Sequence, residues 1–282
     1  MQHDRAQKGD GGAPRPSRWA PSEVARLRVG PPVALAQGLV VLSPHCDDAV
    51  LSVGAILARH TRSGGRATVV TVLSNDPTST LPASSWDAQA GFSTHGEAAV
   101  ARAREDALAC SAVGADSVHL GAHDEQYRRG YDADVLWADI APRLHQADEI
   151  WLPGYPLVHR DHRLVAELVV SRMDPAQQVR LYLEEPYARR LRRGDVPKPT
   201  WQSDTMWSGL RATAPEAGRK VRALTHYWSQ IELLSGARGV YDPRGAYLLV
   251  QIWRAARSRG EWVSAPLPAG RLAEALGPAA SV

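Results

Sequence analysis

The strongest constraint on the fold is a repeating alternation between short β-branched apolar runs and segments with helix-spaced apolar residues. Residues 38–43 read GLVVLS, a strand-type run. From Ala49 to Ser63, Val50, Val53, Ile56 and Leu57 fall on one helical side, and Gly64-Gly65 ends the helix. Residues 67–73, ATVVTVL, form a second strand and complete a βαβ unit. The rhythm continues with a helix over 96–113, a strand over 117–120, a helix over 132–145, a strand over 149–152, a helix over 162–173 and a strand over 179–183. Strands and helices at this interval predict a mostly parallel sheet covered on both faces, with right-handed crossovers. The expected fold is therefore a Rossmann-like three-layer α/β arrangement.

Past residue 183 the rhythm weakens. The stretch 188–215 is irregular and holds Pro197, Pro199 and Pro215. Residues 216–234 read as a helix, and 246–253, AYLLVQIW, read as one more strand. This is expected to be a C-terminal elaboration on a single domain spanning 36–255. Residues 1–35, rich in Pro, Gly and Arg without periodicity, read as a disordered tail, and 256–282 as a C-terminal tail. The other long irregular stretch, 74–95, has the length of a lid or binding loop.

Composition narrows the class. A chain of 282 residues with 44% hydrophobic content buries a core without disulfides or a structural metal. No apolar run reaches the roughly 20 residues that span a bilayer, and the N-terminus lacks the apolar core of a signal peptide. Cys46 and Cys110 are too far apart to make a zinc or redox motif by themselves. Both are expected as free thiols in a reducing cytoplasm. Net charge is +3. The arginine cluster Arg189, Arg190, Arg192 and Arg193 is flanked by Glu184, Glu185 and Asp195, which reads as a solvated mixed-charge face and not as a nucleic-acid surface. One phenylalanine against nine tryptophans suggests either ring-stacking surfaces or aromatic core filling.

In an open α/β sheet, ligands bind at the carboxyl ends of the strands near the switch in strand order. After the first strand comes Ser43-Pro44-His45-Cys46-Asp47-Asp48, and after the 149–152 strand comes a segment ending His159-Arg160-Asp161-His162. Each cluster alone reads as a helix cap; two of them at one sheet edge point to a site. Histidine and aspartate are good zinc ligands, and a catalytic zinc takes three protein ligands with one open position. His45 and Asp48 can face one point, and His162 can supply the third ligand. Asp47 then stands beside the metal, with His159 one turn from His162. The chain has no P-loop, no G-x-S-x-G, no H-E-x-x-H and no G-x-G-x-x-G, so nucleotide-dependent hydride transfer is disfavoured.

These residues resemble a known family. Ser-Pro-His-Cys-Asp-Asp-Ala-Val-Leu-Ser-Val-Gly at 43–54 is similar to the opening motif of the PIG-L/LmbE-like zinc-dependent N-acetyl-sugar deacetylases. His159-Arg160-Asp161-His162 resembles the family's H-x-D-H motif. Weaker matches follow the family order: the R-x-x-E helix at Arg102 and Glu105, the strand end Leu120–Asp124, and the segments Tyr182–Tyr187 and His226–Gln230. The resemblance runs from about residue 38 to 252. It implies zinc held by His45, Asp48 and His162, Asp47 as general base, His159 as a donor to the oxyanion, and Arg102 and Asp124 as substrate-binding residues or, alternatively, an ion pair. Asp161 either orients a histidine or caps the next helix.

Two positions depart from the commonest family form. Cys46 stands where Pro is usual and is expected as a packed thiol; Ala49 stands where Glu is usual, which removes a supporting carboxylate. The implied function is hydrolysis of an N-acetyl group on an amino-sugar-containing small molecule, such as an N-acetylglucosamine conjugate, a thiol-sugar precursor or an antibiotic intermediate, through zinc-activated water. The alternatives are a hydrolase of a non-acetyl amide and a metal-dependent carbohydrate-binding protein without turnover. No nucleic-acid partner and no membrane span are expected, and the sequence carries no signature of oligomeric state.

Overall fold

The computed structural model describes residues 28–29, 38–145, 147–187, 206–236 and 243–276. The expected N-terminal tail, apart from Arg28 and Val29, and the arginine cluster lie outside the described residues. The strands are β1 (Arg28–Val29), β2 (Gly38–Ser43), β3 (Arg66–Thr71), β4 (Asp116–His119), β5 (Glu149–Tyr155), β6 (Gln178–Leu183), β7 (Met206–Leu210), β8 (Glu261–Ser264) and β9 (Leu267–Pro268). They form one sheet in the order β1-β7-β8-β6-β5-β2-β3-β4, with β9 pairing β6. The run from β4 through β3, β2 and β5 to β6 is parallel throughout. β8 pairs antiparallel with both β6 and β7.

The helices are α1 (Asp48–Arg62), α2 (Ser85–Gln89), α3 (His95–Ala112), α4 (Ala133–Leu144), α5 (Arg160–Arg172), α6 (Ala214–Leu224), α7 (Trp228–Ser235), α8 (Pro243–Ser258) and α9 (Ala269–Leu276). Strand alternation divides the core. Val40 and Leu42 of β2 face a cluster with Ile140 of α4, Val165 of α5 and Leu272 of α9. Leu39 and Val41 face the opposite cluster, with Val50 of α1, Cys110 of α3, Leu224 of α6 and Ile252 of α8. Both faces of the sheet are thus covered, and β2 is buried along nearly its whole length, as a parallel strand between two helix layers must be.

Three expectations change. Residues 246–253 are helical, inside α8: Ile252 and Ala256, four apart, are its buried positions, while Tyr247 and Val250 are exposed. The short apolar run carried no alternation that separates strand from helix. The expected helix over 216–234 is two helices, α6 and α7, parted by a turn in which Thr225, His226 and Tyr227 donate to carbonyls three residues back. Of the expected tail 256–282, the described residues, to Leu276, are more than a tail, because β8, β9 and α9 complete the sheet and its cover.

A buried ion pair shapes the first helix. Val53 leaves helical dihedrals (φ −129°) and breaks α1. The freed amides of Ala55 and Ile56 donate to Glu261 at 3.0 and 2.8 Å. Lys220 Nζ donates to the Leu51 carbonyl at 2.6 Å and pairs with Glu261 at 2.5 Å. The backbone groups released by the break are therefore satisfied inside the protein, as burial requires. The first turns of α1, which carry the candidate site, are held against α6 and β8.

Candidate metal centre and active-site pocket

The strand order reverses between β2 and β5: the chain proceeds from β2 outward to β3 and β4, then returns to β5 on the other side of β2. The carboxyl ends of these two neighbouring strands open into one crevice. His45 follows β2 and Asp48 opens α1. His159 caps α5, and His162 lies in its first turn. The rings of His45, His159 and His162 have centroids 4.9–5.3 Å apart. One ligand atom each from His45, Asp48 and His162 lies within 4.8 Å of the other two.

Asp48 Oδ2 is the hub of this group. It accepts from the His45 amide at 2.9 Å and lies 3.2 Å from His45 Nδ1 and 3.1 Å from His162 Nε2. His45 Nε2 faces Asp161 Oδ2 at 3.0 Å. Burial opposes charge on His45, but the contacts to Asp161 and Asp48 outweigh it and raise the pKa to about 9. His162 is 1% exposed. Burial again works against its charge, while Asp48 and Glu184 push its pKa well above the ordinary value. Its ring nitrogens lie 3.1 Å from Asp48 and 3.4 Å from Glu184 but make no well-formed hydrogen bond. Two imidazoles that draw positive charge toward a buried carboxylate, one with poorly partnered nitrogens, suit a divalent cation.

Asp47 sits between these ligands in an unusual conformation. Its φ of 143° lies where non-glycine residues are strained, at an expense of order 1–3 kcal/mol. It makes no capping hydrogen bond, so the helix-cap reading fails for it. The carboxyl lines the pocket. Burial, followed by the charge on Asp48, holds its pKa well above the usual carboxylate range. His159 Nδ1 accepts from the Asp161 amide at 3.2 Å, which leaves its proton on Nε2. Burial and the neighbouring His45 and His162 lower its pKa to about 4. At neutral pH it is an uncharged donor at the pocket wall.

The pocket has a volume of about 340 Å³, within the range of small-ligand sites. Arg102 of α3 and Asp124 line it, 7% and 4% exposed. Arg102 pairs with Asp87 of α2 at 2.5 Å. With the Gln230 amide turned so that its oxygen faces the guanidinium, Arg102 Nε also donates to it at 2.6 Å. Asp124 and Asn75 form a reciprocal pair: Asn75 Nδ2 donates to Asp124 Oδ2 at 3.0 Å, and the Asp124 amide donates to Asn75 Oδ1 at 2.9 Å. Trp86, from the long irregular stretch, also lines the pocket.

Residues 40–173 match the family PIG-L, described as GlcNAc-PI de-N-acetylase. The A40926 pseudoaglycone deacetylase Dbv21 is 26% identical, with 82% of this chain and 98% of that chain covered and a TM-score of 0.65. The zinc-inhibited form of teicoplanin deacetylase Orf2 is 20% identical, with 81% and 97% covered and a TM-score of 0.65. The 4-carboxy-2-hydroxymuconate hydratase GalB from Pseudomonas putida is 18% identical, with 82% and 95% covered and a TM-score of 0.50. No curated protein matches the sequence. The fold alone therefore hosts more than one reaction; the family-model match and the likeness to Dbv21 are both to N-deacetylases. Among the described residues, no helix is long and apolar enough to cross a membrane.

Six of the seven residues named from the sequence line one crevice, and the seventh, His162, is buried behind Asp48. Asp161 is not a cap, since His159 fills that role. Asp161, fully buried, reaches His45 and is itself held by Arg128 Nη1 at 2.6 Å and the Glu125 amide at 2.9 Å. Arg102 is no surface ion pair. Asn75 lines the pocket as its strand-end position suggests, but Asp76 turns away to accept from Thr78. Glu184, expected on a solvated mixed-charge face beside the arginine cluster, is instead buried and backs His162; its place just past β6 was the available signal. With Ala49 buried in the core, Asp161 and Glu184 supply the carboxylate support around the histidines.

Proposed function

We propose that this chain hydrolyses the N-acetyl group of an amino-sugar-containing small molecule, with zinc held by His45, Asp48 and His162. The observation that carries the reading is the convergence of these three donors, within 4.8 Å of one another, beside the strained, uncapped Asp47. When bound, such a metal polarises the amide carbonyl and lowers the pKa of water from 15.7 toward 7.

Asp47 takes the proton of the attacking water as the new C–O bond forms. Its raised proton affinity suits it to carry that proton. His159 Nε2–H donates to the oxygen that becomes negative. As the C–N bond breaks, Asp47 returns the proton to the departing amine, giving acetate and a free amino sugar. Asp161 holds the His45 ring through Nε2, and the His45 contact, followed by the Glu125 amide and Arg128, keeps Asp161 ionised against its burial. Arg102 and Asp124, which both line the pocket, bind the sugar, and the Trp86 ring gives a face for stacking.

Dbv21 and Orf2 are, by name, deacetylases of the A40926 pseudoaglycone and of teicoplanin, which favours a conjugate over a free monosaccharide. The test is release of free amine from a panel of N-acetylglucosamine conjugates, with metal content measured on the same sample. Chelation should abolish turnover, and added zinc should restore it. Full activity in metal-free protein contradicts the proposal.

A further inference from the structure

Beside the pocket, which Cys46 also lines, is a second group of ligand atoms that the deacetylase chemistry leaves unused. Cys46 is 3% exposed, packed as a buried thiol. One ligand atom each from Cys46, Asp106 and His119 lies within 4.8 Å of the other two. The three residues come from the loop after β2, from α3 and from the last position of β4. We propose that they form a second divalent-metal site, separate from His45, Asp48 and His162, that takes a thiophilic ion of the zinc class.

The donor set argues for that class. Thiolate and imidazole select zinc, cobalt and related late metals over magnesium or calcium, which demand oxygen. A thiolate with one carboxylate also neutralises a dication, so the loaded cluster adds no net charge to a buried region. His119 Nε2 lies 2.9 Å from Asp106 Oδ2. Tetrahedral bonds of about 2.0–2.2 Å place such atoms about 3.4 Å apart, so half an ångström of adjustment, roughly, converts the hydrogen bond into shared coordination.

The surroundings fit a ligating carboxylate. Asp106 is 1% exposed. Its Oδ2 accepts from Thr71 Oγ1 at 2.7 Å, and its Oδ1 accepts from Tyr227 OH at 2.5 Å and from Cys110 Sγ at 3.7 Å. Donors of this kind orient metal-binding carboxylates. The His119 side chain is 22% exposed and opens the site to water and to an entering ion. A loaded site clamps the loop carrying His45 and Asp47 to α3 and β4.

The test titrates metal-free full-length protein with Co²⁺ and follows bound metal together with the near-ultraviolet sulfur-to-cobalt charge-transfer band. The wild type should bind two equivalents, one of them with the band. Cys46→Ser and His119→Gln should each lose the band and one equivalent, while His162→Ala should lose the other equivalent and keep the band. Circular dichroism verifies that each variant is folded, and the two single variants from different elements guard against misfolding of either. Absence of the band in the wild type overturns the proposal. So does a band that survives His119→Gln, which assigns Cys46 to the first site. Failure of the deacetylase reading leaves the band unaffected, so the two outcomes are distinguishable.

Discussion

Replacing Asp47 by asparagine separates its chemistry from its conformation. Asparagine keeps the volume and shape of the side chain, so the substitution leaves the demand of the backbone at φ 143° as it is for aspartate. What is lost is the ability to take up and return a proton. A positioned general base is worth about 10²–10⁴ in rate, or roughly 3–5 kcal/mol of barrier, and kcat should fall by that factor. Stability should move the other way. The folded-state pKa of Asp47 is raised by burial and by Asp48, so its ionised form destabilises the fold once the pH exceeds the unfolded pKa of about 4. Asp47→Asn should therefore unfold at higher urea than wild type at pH 7, with the gain vanishing as pH falls through 4. Asp47→Ala gives a contrast, because alanine at this φ adds strain of order 1–3 kcal/mol. Amine-release kinetics, metal analysis and urea titration on the same samples provide the readouts. An asparagine variant within about threefold of wild-type kcat would refute the assignment; loss of metal would make Asp47 a ligand.

Other predictions concern the supporting shell. Asp161→Asn, which removes the charge facing His45 and Arg128, should weaken metal affinity about 10–100-fold in a chelator competition; unchanged affinity contradicts the orienting role. Lys220→Met strands the buried Glu261 and should destabilise by about 3–5 kcal/mol, with Lys220→Met/Glu261→Gln recovering much of that loss. A single-variant loss below about 1 kcal/mol contradicts it. Glu105 accepts from Ser229 N and Oγ, and burial raises its pKa to about 7. The folded protein then binds the extra proton, so stability should fall as pH rises from about 4.5 to 7 and level off above. Glu105→Gln should flatten that part of the urea-stability profile, and an unchanged slope contradicts it.

The central sheet was legible because its strands are buried on both sides and written in β-branched residues. β2 spans the expected 38–43, and β3 to β6 begin within a residue of expectation. The C-terminal third was harder to read. Ala246 to Trp253 is apolar nearly all round, and only tertiary packing selects Ile252 and Ala256 as the inward face. The break between α6 and α7 and the break at Val53 are stabilised by distant partners that local propensity does not encode. In the site, the strand-end rule located His45, Asp48, His159 and His162. The link from Asp161 to His45 spans 116 residues, and that from Arg128 to Asp161 spans 33; neither leaves a local mark. Glu184 obeys the same strand-end rule but stood alone, without a second ligand type beside it.

Anomalous diffraction at the zinc edge, on crystals grown with metal in excess of both sites, tests the account most directly. The account predicts a peak about 2.0–2.2 Å from a ring nitrogen of His45, a carboxylate oxygen of Asp48 and a ring nitrogen of His162, with the Asp47 carboxylate alongside and uncoordinated. A folded protein with no peak among these three side chains contradicts it.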